Sequence, residues 1–368
     1  MHTPKLDNFF SVGEFEKHFG TIIMFPERKD IWRNNASVAQ KLIIQLANII
    51  IKYEKVFFCI KPDLLENIKG KLDEKIEIVQ IDYDDIWARD ISPNFVVRDG
   101  EIRAVCWQFN SWGGINEGAY FPWNKDAEFG EKISGFFKMN KYVVDDVVLE
   151  GGAVITDGEG TLLTTKSVLL NKNRNPNLSQ GEMEKRLHEY FNVEKIIWFD
   201  EGLFLDETDG HIDNLCNFVK PGEVCLAWTE DRDDSQYNVV KKAYEILINS
   251  KDAKGRKFKI NKIIMPEKQF ILKEEAEGIE ISMNSTQRTE GFQLLPSYIN
   301  YYFINSALLL PAFGCKEDII AYNKMKEIFP NREVIQLNSK EILIGGGGFH
   351  CILHEIPERI NNDKVVCV

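Results

Sequence analysis

A cysteine behind four glycines is the arrangement in this 368-residue chain most suited to chemistry. Gly345 to Gly348 precede Phe349, His350 and Cys351. Glycine admits backbone angles that other residues avoid and lets a ligand approach closely. A thiol after such a loop is available as a nucleophile, because its thiolate is reactive near neutral pH. The plain alternative is a glycine turn beside a small buried cysteine. A nucleophile needs a base. His350 adjoins Cys351, but neighbours in an extended chain point to opposite faces, so the base is expected from elsewhere. His211 is the candidate. It sits in Asp209-Gly210-His211-Ile212-Asp213, and in a strand its two flanking acids would share its face. Such a row is costly to bury without a cation. It either faces solvent or binds one.

Metal is one candidate cation. Asp209, His211, Asp213 and Glu150 could ligate it, but a single histidine argues against catalytic zinc, and His350-Cys351-x-x-His354 is an equally weak motif. No metal and no organic cofactor is expected. A guanidinium fits better. It is flat and cationic, with five donors in a fork that matches carboxylates pairwise. Asp90, Glu150 and Asp213 are the candidate acceptors. Glu150 precedes Gly151-Gly152, where the chain can turn tightly; Asp90 follows Arg89, so a local Arg89–Asp90 pairing is its plain alternative. Trp87 and Trp112 are either core residues or a stacking wall for the flat cation. Gly346 and Gly347 would line the ligand's path. Attack on a guanidinium carbon creates no oxyanion, so carboxylates rather than donors stabilise the adduct. His211 would protonate the departing ammonia and then activate water against the amidino-thioether.

These residues must be carried by a scaffold of alternating elements. Strand-like runs cover 56–60, 76–81, 104–109, 195–199, 223–228, 258–265, a run ending at 311, and 333–337. Several are continuously apolar, as strands covered on both faces are. Helical spacing covers 37–54, 179–191, 236–250 and 316–329. Ser179 with Glu182 is a capping-box signature, and Pro330 stops the last helix. The alternation is that of an α/β protein. No low-complexity linker divides it, so residues 1–368 are expected to form one domain. Neither GxGxxG nor GxxxxGK[ST] occurs, so the usual phosphate loops of nucleotide folds are missing. Pattern alone leaves a doubly wound sheet and a ring of repeats both open.

Bulk composition narrows the rest. Hydrophobic residues make up 44% and charged residues 28%, as in soluble globular proteins. No run of 18 apolar residues and no leader-like start occurs, so a cytoplasmic protein without a membrane span is expected. Seven scattered cysteines without a CxxC pair do not form a disulfide framework. A net charge of −12 without a basic stripe excludes nucleic acid and anionic membrane as expected partners, and suits a small cationic ligand.

WARDISPNFVV, FPWNKD, VLEGGAV, LLNKNRNP, DETDGHIDN, PGEVCLAWT and GGGGFHCI, in this order, resemble agmatine deiminase of the bacterial peptidyl-arginine deiminase superfamily. The resemblance runs from about residue 25 to the end. It implies the pentein fold, a five-bladed α/β propeller of ββαβ-type repeats around a central active site. It also implies hydrolysis of agmatine to N-carbamoylputrescine and ammonia, in putrescine formation, by a homo-oligomer. Cys351 matches the nucleophile and His211 the acid/base, while Asp90, Glu150 and Asp213 match the guanidinium-binding carboxylates. The chain departs from the family's usual pattern at Ile91, Ser92, Gly348 and Leu353, which bears on the substrate more than on the reaction. Peptidyl-arginine deimination, amidino transfer and a silent binding module are the competing readings. Within these motifs the only arginines are Arg89 and Arg174, so arginine's α-carboxylate lacks a partner, whereas Asp84 or Asp85 could receive agmatine's amine.

Overall fold

One pattern recurs along the chain: two antiparallel strands, a helix, then a third strand parallel to the second. The computed structural model describes residues 2–358. Strand β1 (His18–Met24) is followed by helix Ser37–Ile50 and by β2 (Lys55–Ile60), which pairs parallel with β1; β3 (Glu77–Gln80) extends this sheet. The next unit holds β4 (Asn94–Arg98), β5 (Glu101–Gln108), helix Phe129–Phe136 and β6 (Lys141–Val148). Then come β7 (Val154–Thr156), β8 (Thr161–Thr165), helix Gln180–Tyr190 and β9 (Lys195–Phe199). The following unit has β10 (Cys216–Lys220), β11 (Glu223–Trp228), helix Tyr237–Asn249 and β12 (Lys259–Ile264). A short pair, β13 (Gln269–Phe270) with β14 (Gln293–Leu294), interrupts the series. It resumes with β15 (Tyr302–Ile304), β16 (Ala307–Ala312), helix Glu317–Ile328 and β17 (Glu333–Asn338). Finally β18 (Leu353–Pro357) returns antiparallel to β1, with Ile22 opposite His354. The first sheet is thus completed by both ends of the described chain, giving five sheets of one design in a mixed α/β architecture.

Local chemistry explains these elements. Helix Ser37–Ile50 buries Ala39, Ile43, Leu46, Ala47 and Ile50, an apolar stripe at helical spacing, against β1 and β2. Helix Gln180–Tyr190 starts on the expected capping box, with Ser179 and Glu182 satisfying each other's backbone N–H groups. Strands β8 and β11 are buried along their whole length, as strands covered on both faces must be.

The eight expected strands correspond to β2, β3, β5, β9, β11, β12, β16 and β17. Strands β1, β4, β6, β7, β8, β10, β13, β14, β15 and β18 lie outside the expected runs. Four of them, β4, β7, β10 and β15, open a hairpin and span only three to five residues, too few for alternation or an apolar run to stand out. No helix among the described residues is long and apolar enough to cross a membrane.

For function, the junctions between units matter most. Four end in a single helical turn just before the next hairpin: Ala88–Ile91 before β4, Gly151–Ala153 before β7, Ile212–Leu215 before β10 and Phe349–Ile352 before β18. The fifth, residues 265–301, leads into β15. All four turns carry, or directly follow, a residue expected from sequence to do chemistry.

Candidate active site

Asp90, Glu150, His211, Asp213 and Cys351 come together from four junctions. Gly152 marks their meeting point. A Cβ on it would lie 2.6 Å from His211 Nδ1, 2.9 Å from Asp213 Oδ2 and 3.0 Å from Asp90 Oδ1. Only glycine leaves room for this approach. His211 Nδ1 lies 3.9 Å from Asp90 Oδ1 and its Nε2 lies 3.7 Å from Glu150 Oε2. Cys351 Sγ stands 3.7 Å from Asp213 Oδ2. All five side chains are buried.

Each acid is held by its own partners. Glu150 Oε1 accepts from buried Arg174 Nε at 2.8 Å, and Arg174 is anchored in turn on Asp209. Asp90 accepts from the Gly152 backbone N–H at 2.9 Å and from Trp112 Nε1 at 3.0 Å. Asp213 Oδ2 accepts from His350 Nδ1 at 2.9 Å, while His350 Nε2 donates to Glu14 Oε2 at 2.8 Å. Glu150 Oε2, Asp213 Oδ1 and His211 Nε2 are buried without a hydrogen-bond partner among the described residues. Such atoms cost free energy unless something polar meets them.

Electrostatics follow from this crowding. Burial alone would raise Glu150, but the Arg174 guanidinium and His211 outweigh it and hold the carboxyl at about 2. Burial lifts Asp90 to about 6, with His211 opposing and Asp213 adding to the rise. Burial works against a charged His211, yet the Asp90, Glu150 and Asp213 carboxylates prevail and carry it to about 9. The Cys351 thiol is pushed well above its ordinary value, first by burial and then by the negative charges of Asp213 and Asp90. The resting site therefore pairs an imidazolium with a neutral thiol.

A pocket leads from the surface to Cys351. Trp87, Trp112, Gly346 and Asp90 line it, with Ile31, Tyr120, Glu207 and Arg288. Trp87 and Trp112 meet edge to face at 5.9 Å. Gly347 instead sits behind the wall: a Cβ there would meet Trp87 at 2.5 Å and Cys351 Sγ at 3.1 Å. Among the described residues no cluster of three or more His, Cys, Asp or Glu is arranged to hold a metal ion.

Several expectations need correction. The row Asp209–His211–Asp213 is not a strand. Asp209 has φ 68° in a turn and points to Arg174, while Asp213 lies in the helical turn after His211. His350 is in a helical turn, not an extended segment, so it reaches the site through Asp213. Arg89 does not pair with Asp90; it binds Glu14 and Glu355. Asp85 accepts from Trp32 and Trp87, and Asp84 from the Lys125 backbone, so neither lines the pocket. A further arginine does line it. Arg288 is taken up by Glu207 at 2.7 and 2.9 Å and by the Gly345 carbonyl at 2.8 Å. Glu14, Arg288 and Asn300 lie outside every motif, and no residue pattern around them carried a signal; Glu207 lies in DETDGHIDN, but nothing in that segment singled it out.

The chain matches the Porphyromonas-type peptidyl-arginine deiminase family over residues 10–357. A Listeria monocytogenes relative is 46% identical over 356 residues, 96% of this chain and 98% of its own. The agmatine deiminase of Pseudomonas aeruginosa is 43% identical over 357 residues, 96% of this chain and 97% of its own. Among solved structures, the agmatine deiminase of Enterococcus faecalis superposes with a TM-score of 0.95 at 35% identity, covering 98% of this chain and 99% of that one.

Proposed function

We infer, from the premise that this chain belongs to the Porphyromonas-type peptidyl-arginine deiminase family, that it is an agmatine deiminase: a hydrolase that converts agmatine and water to N-carbamoylputrescine and ammonia. The five repeated sheets are read as the blades of a pentein propeller with the junction residues at its centre. One observation carries the site assignment: buried Asp213 has one oxygen 3.7 Å from the Cys351 sulfur and the other unpartnered, and the unpartnered Glu150 Oε2 faces His211 Nε2 at 3.7 Å, where a pocket reaches Cys351 and Asp90. A guanidinium supplies the donors and the positive charge that these oxygens lack.

Binding and activation are then one event. The carboxylates that hold the thiol neutral are the ones a guanidinium neutralises. Its arrival lowers the Cys351 pKa by removing their repulsion, and the thiol proton leaves to solvent in the pocket, to be recovered when the ureido product gives up its hydroxyl proton. The thiolate attacks the guanidinium carbon and forms a C–S bond. Imidazolium His211, charged at neutral pH by its three acids, gives its proton to the terminal nitrogen. The C–N bond breaks and ammonia leaves, with an amidino-thioether on Cys351. Neutral His211 then takes a proton from water, the hydroxide adds to the same carbon, and the C–S bond breaks to release the ureido product. Trp112 holds Asp90 in place and, with Trp87, forms the wall along which the alkyl chain passes. Glu207 is the acid beside the pocket's Arg288, in position to face the amine.

Cys351→Ala tests this reading. Purified wild type should release ammonia and carbamoylputrescine from agmatine, and the variant should lose at least about 10⁴-fold in kcat. Wild-type turnover in Cys351→Ala would remove the nucleophile. Citrulline from peptidyl arginine, or amidino transfer to an added amine, in preference to carbamoylputrescine would remove the substrate.

A further inference from the structure

Four of the five junctions place a chemical group at the centre: Asp90, Glu150, the His211/Asp213 pair and Cys351. The fifth places Asn300, two residues before β15 just as Cys351 stands two residues before β18. Asn300 is 2% exposed. Its amide orientation is forced from both ends. The His350 backbone N–H can only donate, and it meets Asn300 Oδ1 at 3.0 Å. Asn214 donates its own NH2 to the Asp206 carboxylate at 3.0 Å, so its oxygen must face Asn300 Nδ2, also at 3.0 Å. One hydrogen of the Asn300 NH2 group remains, and Cys351 Sγ lies 3.3 Å from that nitrogen.

The space for this amide comes from Gly348. A Cβ at position 348 would lie 2.2 Å from Asn300 Oδ1 and 2.8 Å from its Cγ. Any other residue there would displace the amide. Gly348 has ordinary extended angles, so what demands glycine is the neighbour and not the backbone.

We propose that Asn300 is a catalytic residue of this site, whose side-chain N–H donates to the Cys351 sulfur and stabilises the attacking thiolate. The proposal rests on the deiminase reading for its chemistry. The titratable groups facing the sulfur are the carboxylates of Asp213 and Asp90, both of which disfavour a thiolate. His211 faces Asp90 at 3.9 Å and His350 is bonded to Asp213 at 2.9 Å, so each imidazole is turned to one of those acids. Against them stand the Gly348 backbone N–H and the Asn300 amide. A hydrogen bond to an ionised group is roughly twice as strong as one to a neutral partner, so the contact tightens as the thiol ionises. The amide also fixes the sulfur's direction, because the same side chain grips the His350 backbone one residue away.

The test compares alkylation of Cys351 by iodoacetamide, read by peptide mass across pH 6–10, with kcat/KM for agmatine. Asn300→Ala removes the donor. Gly348→Ala leaves residue 300 intact but pushes its amide aside. Asn300→Asp keeps the shape and the acceptor for His350 in case the alanine loosens the loop. All three should alkylate at Cys351 about tenfold or more slowly than wild type at each pH, with kcat/KM falling in parallel. Wild-type alkylation rates in Asn300→Ala and Asn300→Asp would overturn the proposal, whatever happens to stability. The two readings fail separately: a wild type that releases no ammonia from agmatine sinks the deiminase assignment, while the alkylation series still reports on the amide.

Discussion

His211 and His350 are both buried among carboxylates, three around the first and two around the second, and both are carried to about 9 against the effect of burial. Their surroundings nonetheless differ. Both ring nitrogens of His350 are bonded, to Asp213 at 2.9 Å and Glu14 at 2.8 Å. Neither ring nitrogen of His211 comes within 3.5 Å of its acids, and its Nε2 has no partner among the described residues. A satisfied imidazolium is a fixed positive strut, whereas an unsatisfied one has a proton to give. The same charge thus serves two ends: His350 holds Asp213 in position, and His211 is left available for transfer.

Replacing each histidine separates the two roles. His211→Gln should cost about a thousandfold in kcat for agmatine, the range typical of losing a positioned proton donor, with little change in Tm. Quench-flow or steady-state assays of ammonia release would measure it. A loss of less than tenfold would show that the proton comes from another group, and the contrast with His350 would vanish.

His350→Gln should show the opposite balance. It leaves Glu14 and Asp213 facing a neutral amide in a buried place, so stability should fall by about 3 kcal/mol in urea unfolding. Activity should fall less than in His211→Gln, through a misplaced Asp213. The Arg89 guanidinium still neutralises Glu14 from its other side at 3.1 Å, which limits the loss. A variant that unfolds at the wild-type midpoint would deny His350 its structural role.

This contrast also marks how far the sequence could be read. Cys351, His211, Glu150 and Asp90 stood out because each lies within a few residues of glycine or tryptophan, and reactive residues in tight turns are unusual enough to notice. The local pattern misled on His350, since extended geometry was assumed where a helical turn occurs. Glu14 left no trace at all. It sits 336 residues from its partner, in a stretch with no motif, and only the return of β18 onto β1 brings the two ends together. Asn300 is equally silent, because its meaning lies in the space above Gly348. The sequence showed the departure at Gly348 but not what occupies the space. For the fold, central and closing strands were mostly visible as apolar runs, while the hairpin-opening strands β4, β7, β10 and β15 span only three to five residues and left too short a pattern to read.

The last way to sharpen the comparison is pH. A histidine at about 9 in the folded protein and near 6.5 unfolded binds more protons when folded between those values. Its stabilisation is complete below about pH 6.5 and is lost as pH rises through 9. Glu150 runs the other way: its depressed value gives stability above 4.5 that is lost as pH falls toward 2. Other groups titrate in the alkaline window too, notably Asp126, which burial raises to about 8, so the wild-type slope alone assigns nothing. The difference between proteins does. If His350 is a strut, His350→Gln should lose about 3 kcal/mol less than wild type between pH 6.5 and 9.5, because the variant has already lost that charge. His211→Gln should show a smaller difference. Removing His211 takes away the charge that holds Asp90 down, so Asp90 rises further above its value of about 6 and keeps part of the proton uptake in the same window. Identical slopes in wild type and His350→Gln would mean that the imidazole is neutral, and Asp213 would then be held by a hydrogen bond without a charge behind it.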